Sequence, residues 1–286
     1  MAILTQEQAK AIIDKVLSYA KADETEVTIT GGRTGNIRYA RNTVNTSGET
    51  NELSLSVTSV YGKKSGSATI NEFDDESLKR TVARAEEIAA LAPENPEYMP
   101  IIDKQDYKPS PTFVQATADI TPEQRAQVAA ASIGPSKDGN LIAAGFLQDE
   151  NGFFAFANSK GNFGYQRATN LDYTCTVRTE DGRGSGWVSR NAADVKQFDA
   201  DESLQVAIQK ARDSAEAKAL EPGKYTVILE PAAAAGLISF MMFFFDARQA
   251  DEGRSFLSKK GGGTKLGEQV YDPRVNLRAD PWDADA

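Results

Sequence analysis

The stretch Glu52-Leu53-Ser54-Leu55-Ser56-Val57 alternates between polar and apolar residues. Because successive side chains of a β-strand point to opposite faces, this alternation indicates a strand with one buried face. The same pattern recurs in residues 26–30, 36–40 and 67–70, with candidate turns at Gly31-Gly32, Ser47-Gly48 and Tyr61-Gly62. Together these segments predict an antiparallel sheet that is covered on one face.

Helices are predicted on both sides of these strands. Thr5 and Gln8 have capping-box spacing and begin a helix over residues 6–21, whose apolar residues recur at helical intervals. Asp74 caps a second helix over about 75–91, and the acidic residues of its first turn suit the helix dipole. The segment 92–115 then predicts an extended linker because it is rich in proline.

The second half of the sequence repeats this plan. The run Ile120-Thr-Pro-Glu-Gln124 resembles Leu4-Thr-Gln-Glu-Gln8, and Asp201-Glu-Ser-Leu204 resembles Asp75-Glu-Ser-Leu78. Either a duplication or shared capping preferences would explain these similarities. Strands are predicted at 141–147, 152–157, 162–168, 171–177, 184–189 and 225–230, with a long helix from 201 to about 220.

The predicted fold class is therefore α+β. An N-terminal domain, residues 1–115, combines an antiparallel sheet with helices and ends in the proline-rich linker from about 92. A second domain, residues 116–286, is β-rich and also contains helices. The sequence ends without a helix cap or a closing strand, which predicts either an interrupted chain or a loose tail.

The composition excludes several kinds of site. The 286 residues include no His and one Cys, so a His-based triad, a His-ligated zinc and an internal disulfide are all excluded for this chain alone. The 41 acidic residues outnumber the 32 Lys and Arg, which argues against general nucleic-acid binding. We therefore expect no cofactor and no nucleic-acid partner. A cytoplasmic location is expected because the N-terminus lacks signal-peptide features.

The most apolar segment runs from Ala232 to Phe245. It is shorter than the roughly 20 residues that a membrane-spanning helix needs, so no membrane association is expected. A buried helix is the favoured interpretation, and a helix at a subunit interface is the alternative.

Several isolated motifs favour ordinary structural roles. The glycine loop at 261–263 lacks the spacing of a phosphate-binding loop. The buried-strand pattern around Cys175 favours a structural thiol over a nucleophile. The remaining candidates are serine nucleophiles, which would need a Lys or carboxylate as base, and a carboxylate cation site in the tail, each weaker than a plain surface role: Ser239, Ser255 and Ser258; Asp280, Asp283 and Asp285.

A series of segments, taken in order, resembles the TldD/PmbA family, whose older label is modulator of DNA gyrase. The most specific is Leu220-Glu-Pro-Gly-Lys-Tyr-Thr-Val-Ile-Leu-Glu-Pro-Ala-Ala-Ala-Ala-Gly-Leu237. The others are Arg38-Tyr-Ala-Arg-Asn-Thr-Val-Asn45, the segment 61–71, Asp75-Glu-Ser-Leu78, Ala83-Arg-Ala85, Gly253-Arg-Ser-Phe-Leu257 and Lys265-Leu-Gly-Glu-Gln-Val-Tyr-Asp272.

This resemblance implies two domains and chains that form dimers around a cavity. TldD-type members are zinc peptidases with an HExxxH motif in the helix after the strand that corresponds to 226–229. On this sequence the two His positions hold Ser239 and Phe244, and the Glu position holds Phe240. Because catalytic zinc needs about three protein ligands and a general base, no metal or catalytic residue is assigned.

The resemblance therefore implies the PmbA/TldE type, a chain that is not catalytic alone. Its expected partners are a TldD-like zinc subunit, or a second copy in a dimer, and an unfolded peptide that is cleaved or matured. Candidate interface or chamber residues are Phe243, Phe244, Phe245, Arg254 and Ser255. The alternatives are a non-enzymatic interaction protein that modulates DNA gyrase and a standalone enzyme with a carboxylate or lysine site.

Overall fold

The computed structural model describes residues 3–278, so the acidic candidates Asp280, Asp283 and Asp285 lie outside the described residues. Contacts divide the chain into two units. Unit 1 ends at Ala219 and unit 2 begins at Leu220. Unit 1 contains α1 (Gln6–Tyr19), β1 (Glu24–Ala40), β2 (Thr43–Tyr61), β3 (Lys64–Ile70), α2 (Asp75–Leu91), α3 (Gln115–Ala118), α4 (Pro122–Asp138), β4 (Leu141–Asn158), β5 (Phe163–Thr179), β6 (Ser185–Ala192), a 3₁₀ turn (Val195–Gln197) and α5 (Ala200–Asp213). Unit 2 contains α6 (Pro231–Met242) and α7 (Ala247–Asp251).

The strands of unit 1 form one antiparallel sheet in the order β3-β2-β1-β4-β5-β6. The α+β prediction is confirmed, and strands from both halves of the sequence share this sheet. The predicted turns at Gly31-Gly32 and Ser47-Gly48 are wrong, because both dipeptides lie inside long strands. Pairing of β1 with β2 and β4 along its length outweighs the local turn tendency of these glycines.

Each half of unit 1 contributes a helix, three strands and a second helix. The capping box predicted at Thr5 with Gln8 is confirmed, and the similar run at 120–124 has a second capping box, at Thr121 with Gln124. The similar sequence runs therefore lie at corresponding places in the two halves. The predicted boundary between residues 115 and 116 falls near the connection of these halves and stays a prediction.

One face of the sheet is buried and the opposite face is open. Odd-numbered side chains of β1, β2, β4 and β5 point to the buried face. α1 and α2 cover one core, which includes Val27 and Leu55, while α4 and α5 cover a second core, which includes Leu147 and Tyr173. This arrangement confirms the prediction, made from the alternation in residues 52–57, of an antiparallel sheet that is covered on one face.

Two predictions for the C-terminal region are wrong. Residues 225–230 do not form a strand, and α6 has no buried residue although it was expected in a core. Among the described apolar residues of unit 2, only Ala250 is buried. The described part of this unit, residues 220–278, therefore offers no hydrophobic core against which α6 could pack. The long helix from 201 also ends early, at Asp213, where Ser214 is its C-cap.

The proline-rich segment is tied to β1 through Glu24. Its carboxylate accepts hydrogen bonds from the Tyr98 hydroxyl and, at 3.3 Å, from the Ile101 N–H. The Lys160 ammonium lies 3.4 Å from the same carboxylate. Chiefly through the Tyr98 hydrogen bond, these contacts lower the pKa of Glu24 below its usual value.

Removing the Tyr98 hydroxyl should therefore have a pH-dependent effect. At pH 7, Tyr98→Phe is expected to lower the free energy of unfolding by about 1.5 kcal/mol, because a hydrogen bond to a charged group is lost. The pKa of Glu24 is lower in the folded state than its unfolded value of about 4.3. The stabilisation from ionised Glu24 is therefore complete above about pH 4.3 and is lost as the pH falls through the folded-state pKa. Urea unfolding from pH 7 to pH 3 should show the two proteins converging, and a constant difference would contradict the assignment.

Candidate functional site

The family motif positions lie at the end of α6. Pro231 starts this helix at a position where its missing N–H costs nothing, and the Phe243 N–H closes it by donating to the Ser239 carbonyl. Ser239 and Phe240 are exposed in the last turn, while Phe244 follows the helix and is half-buried. The structure thus places all three positions on consecutive turns of one segment.

These side chains do not fit a zinc ion. A zinc site takes thiolate, imidazole or carboxylate ligands, whereas the three positions supply one hydroxyl and two phenyl rings. Within residues 3–278, no three Cys, Asp or Glu side chains come together in a metal-binding group. The donor set of the α6 segment therefore gives no basis for metal chemistry by this chain.

Aromatic side chains dominate the segment that follows α6. The Phe244 ring lies 5.6 Å from Phe240 and 5.5 Å from Phe243, in edge-on contacts. Further along, Phe245, Phe256 and Tyr271 form a triangle with ring centroids 6.0 to 6.4 Å apart. Phe240 and Phe243 nevertheless remain 71% and 69% exposed, so the segment presents apolar rings to solvent.

The two polar candidates, Arg254 and Ser255, stabilise the loop beside these rings. The Arg254 Nε donates to Glu252 at 2.9 Å, and Arg248 donates to the same carboxylate at 3.0 Å. These hydrogen bonds, chiefly that of Arg254, lower the pKa of Glu252 and keep it ionised. The Ser255 hydroxyl donates to the Phe244 carbonyl at 2.7 Å. Their chamber role stays a prediction.

The remaining nucleophile candidates are engaged or buried. The Ser258 hydroxyl donates to the Ala250 carbonyl at 2.7 Å, and the neighbouring Lys259 pairs with Glu268 at 2.5 Å. Cys175 is fully buried in β5, and burial raises the pKa of its thiol. A raised pKa disfavours the reactive thiolate, which agrees with the structural role predicted for this cysteine.

A cluster of four charges at the centre of unit 1, built around the buried pair Arg125 and Asp149, was not predicted. The Asp149 carboxylate on β4 accepts from Arg125 of α4 at 2.7 Å and from Arg33 of β1 at 2.8 Å. Glu49 on β2 lies 3.2 Å from Arg33 and 3.6 Å from Arg125. Burial raises the pKa of Asp149, and the hydrogen bond from Arg125 opposes that shift.

The sequence does contain a signal for this cluster. Arg33 and Asp149 occupy odd-numbered positions of strands whose other odd positions are mostly buried. Gly35 leaves room for Arg125, because a Cβ at Gly35 would lie 2.0 Å from the guanidinium Nη1. The cluster lies along the strands between the two cores, and its charges pair with one another, which indicates a structural role.

One cavity of unit 1 has the size of a small-molecule site. It measures about 430 Å³ and lies between the proline-rich segment and the strands β4 and β5. Aromatic rings line it, including Tyr107, Phe113, Phe154 and Phe156. Its one arginine, Arg167, is stacked 3.6 Å from the centre of Phe113. No carboxylate or thiol lines this cavity, and its ionisable side chains are Tyr107, Lys108, Tyr165 and Arg167.

The comparisons with known proteins agree with this description. Three family profiles match in order: PmbA/TldA metallopeptidase domain 1 at residues 25–89, the central domain at 116–219 and the C-terminal domain at 222–286. They cover most of the sequence. The chain therefore belongs to the PmbA/TldD family, and the resemblance seen in the sequence is confirmed.

Solved structures share the fold at low sequence identity. A protein of Thermotoga maritima described as a proposed modulator of a DNA gyrase is 16% identical with a TM-score of 0.78, and covers 88% of this chain and 59% of its own. A protein of Bacteroides thetaiotaomicron with a similar description is 17% identical with a TM-score of 0.76, and the match covers 89% of this chain and 61% of that protein. TldE from Thermococcus kodakarensis is 16% identical with a TM-score of 0.62, and the match covers 71% of this chain and 47% of that protein.

The chain thus spans between about half and three fifths of the length of these structural neighbours. A comparison with curated proteins gives no match. None of the helices in residues 3–278 is long and apolar enough to cross a bilayer.

Proposed function

We propose that this chain is an accessory, zinc-free subunit that acts with a TldD-like zinc peptidase on unfolded peptides. The observation that carries the proposal is the pairing of family membership with Ser239, Phe240 and Phe244 at the HExxxH positions. A chain that lacks all imidazole at these positions needs a second subunit to supply the metal and the general base.

The exposed rings beside α6 support a subunit contact. Aromatic side chains are enriched at protein interfaces, where burial of their large apolar area contributes strongly to binding. We place Phe243, Phe244, Phe245, Arg254 and Ser255 at this contact or along the peptide chamber behind it. The single buried Cys175 requires no oxidising compartment, and the proposal locates the complex in the cytoplasm.

The test compares this chain alone with a complex that contains an HExxxH-bearing chain. Zinc content by mass spectrometry and cleavage of labelled unfolded casein are the two measurements. We expect neither zinc nor cleavage from the isolated chain, and both from the complex, with cleavage abolished by a chelator. A partner whose HExxxH glutamate is changed to glutamine is the matched control. Zinc-dependent cleavage by the isolated chain would overturn the proposal.

A separate prediction concerns the contact itself. Phe243→Ala should weaken binding to the zinc subunit by about 2 kcal/mol, or roughly 30-fold in Kd, if this ring is an interface anchor. Because Phe243 is exposed, the stability of the isolated chain should change little. Met99→Ala, at a residue 82% exposed in unit 1, is the control. Equal Kd values for the two variants would remove Phe243 from the interface.

The gyrase descriptions of two structural neighbours motivate one rival function. In that case the chain would act as an interaction protein that modulates DNA gyrase. Capture of bound proteins from a cell extract separates the two functions, since a zinc peptidase chain supports the first and a topoisomerase subunit supports the second.

A further inference from the structure

The sheet of unit 1 has one long open edge. β1 pairs with β2 along nearly its whole length, whereas β3 pairs with β2 only from Leu55 to Tyr61. Among residues 3–278, no strand pairs with the outer edge of β2 over residues 43–54. Residues 43–52 are exposed throughout. The open edge is therefore about 35 Å long, at roughly 3.3 Å per residue.

Strand alternation identifies which backbone groups face this edge. Thr25 donates its N–H to the Ser159 hydroxyl and accepts from the Ser159 N–H, so odd residues of β1 face β4 and even residues face β2. Opposed residues such as Thr34 and Thr50 then exchange hydrogen bonds between β1 and β2. The odd residues of β2 consequently turn their N–H and C=O groups outward: Ser47, Glu49, Asn51 and Leu53.

The other half of the sheet shows what such an edge can hold. β6 pairs with β5 only from Leu171 to Arg178, which leaves residues 163–170 without a strand neighbour there. An extended part of the proline-rich segment lies along that edge. Thr112 accepts from the Thr169 N–H at 2.9 Å and donates its hydroxyl to the Arg167 carbonyl at 2.8 Å. No described segment occupies the open edge of β2 in this way.

The surroundings of the open edge favour a strand with basic side chains. Residues 43–61 contain no Lys, Arg or Pro, the residues that commonly protect free edges. Glu49 is paired with Arg33 and Arg125, so Glu52 is the carboxylate of this strand that can face an added cation. A hollow of about 770 Å³ lies where β3 ends, and Glu52, Leu53 and Ile70 are among the residues that line it. This hollow is positioned to receive a side chain of an added strand that continues the line of β3.

A second copy of the chain fits this edge poorly. Residues 43–54 contain no Lys or Arg, so a strand from a second copy would bring no cation to Glu52. A separate basic segment supplies that charge.

We propose that the open edge of β2, from Ser47 to Leu53, binds an extended basic segment of a partner protein as an added antiparallel strand. Backbone hydrogen bonds to the four outward-facing residues supply the pairing, and Glu52 favours a cationic side chain beside it. This binding surface goes beyond the accessory function and does not depend on a zinc subunit.

The test measures binding of a labelled peptide of alternating lysine and threonine to the isolated chain by fluorescence anisotropy. Asn51→Pro removes an outward N–H and should weaken binding at least about tenfold, while Asn51→Ala keeps the N–H and should bind within about twofold of the parent chain. Glu52→Gln should weaken binding several-fold at low salt. Circular dichroism and thermal unfolding verify that each variant is folded.

Modified peptides test the same pairing without any change to the protein. Two peptides are compared, one N-methylated at the odd amides and the other at the even amides. Because only alternate N–H groups face β2, one set of N-methyl groups should abolish binding and the other should leave it intact. The proposal is overturned if the peptide does not bind, if Asn51→Pro binds like Asn51→Ala, or if both N-methylated peptides bind equally. It is also overturned if a measurement of molecular mass shows that the edge instead mediates self-association. None of these results bears on cleavage by the complex, so the two proposals fail independently.

Discussion

Replacing Arg125 by alanine should lower the free energy of unfolding by about 3–5 kcal/mol, because it leaves the buried Asp149 carboxylate without its closest cation. Both side chains are almost fully buried, at 1% and 0% exposure, and their nearest atoms are 2.7 Å apart. Arg33 would remain at 2.8 Å, but its guanidinium also donates to the carbonyls of Ala118 and Ile120. Urea denaturation measured on the chain and on the variant gives the difference directly.

An exposed ion pair provides the control for this variant. Arg84 and Glu87 are 2.7 Å apart on the surface of α2, with side chains about 60% exposed. Arg84→Ala should cost no more than about 0.5 kcal/mol, since solvent screens the pair. If Arg125→Ala were as mild as Arg84→Ala, the buried cluster would not be the structural link between the two cores that its geometry indicates.

Gly186→Ala should be the second strongly destabilising substitution, at about 3 kcal/mol. A Cβ at Gly186 on β6 would lie 2.0 Å from the Ala207 carbonyl oxygen and 2.7 Å from the Ala211 N–H nitrogen of α5. Both are backbone atoms of a packed helix, so the helix itself must move. Thermal and urea unfolding would measure the loss.

The opposite end of the sheet has the same packing. A Cβ at Gly66 on β3 would lie 2.2 Å from the Ala89 nitrogen of α2, so Gly66→Ala should resemble Gly186→Ala. Gly48→Ala is the control, because nothing lies within 4 Å of its added Cβ. Replacing a glycine also lowers the conformational entropy of the unfolded chain, which favours the folded state. We expect Gly48→Ala to be neutral or slightly stabilising. Equal losses at Gly186 and Gly48 would refute the close-packing explanation.

Local patterns predicted much of unit 1 correctly. The capping box at Thr5 and the similar run at 120–124 identified two helix starts, since a cap depends only on residues within one turn. The alternation in 52–57 identified the covered and open faces. The merging of short segments into strands as long as Glu24–Ala40 was missed, because it depends on neighbours on both sides rather than on the local sequence.

The candidate site divides in the same way. The loss of the zinc ligands at Ser239, Phe240 and Phe244 was readable from the residues once the family resemblance located the motif. The exposure of α6 and the engagement of Arg254 with Glu252 were not, because burial and side-chain pairing depend on what else folds nearby. Arg33 and Asp149 stood in phase with buried positions, but their common partner Arg125 comes from a separate helix.

By itself, the sequence determined the α+β class, the helix starts and the absence of imidazole chemistry, because each follows from residue identity and short-range spacing. Only the tertiary structure decided that both halves share one sheet, that four charged side chains meet between the cores, and that no strand of residues 3–278 pairs with the edge of β2 at 43–54. These features join residues far apart in the chain, and their geometry is set by strand register and helix packing rather than by any local pattern.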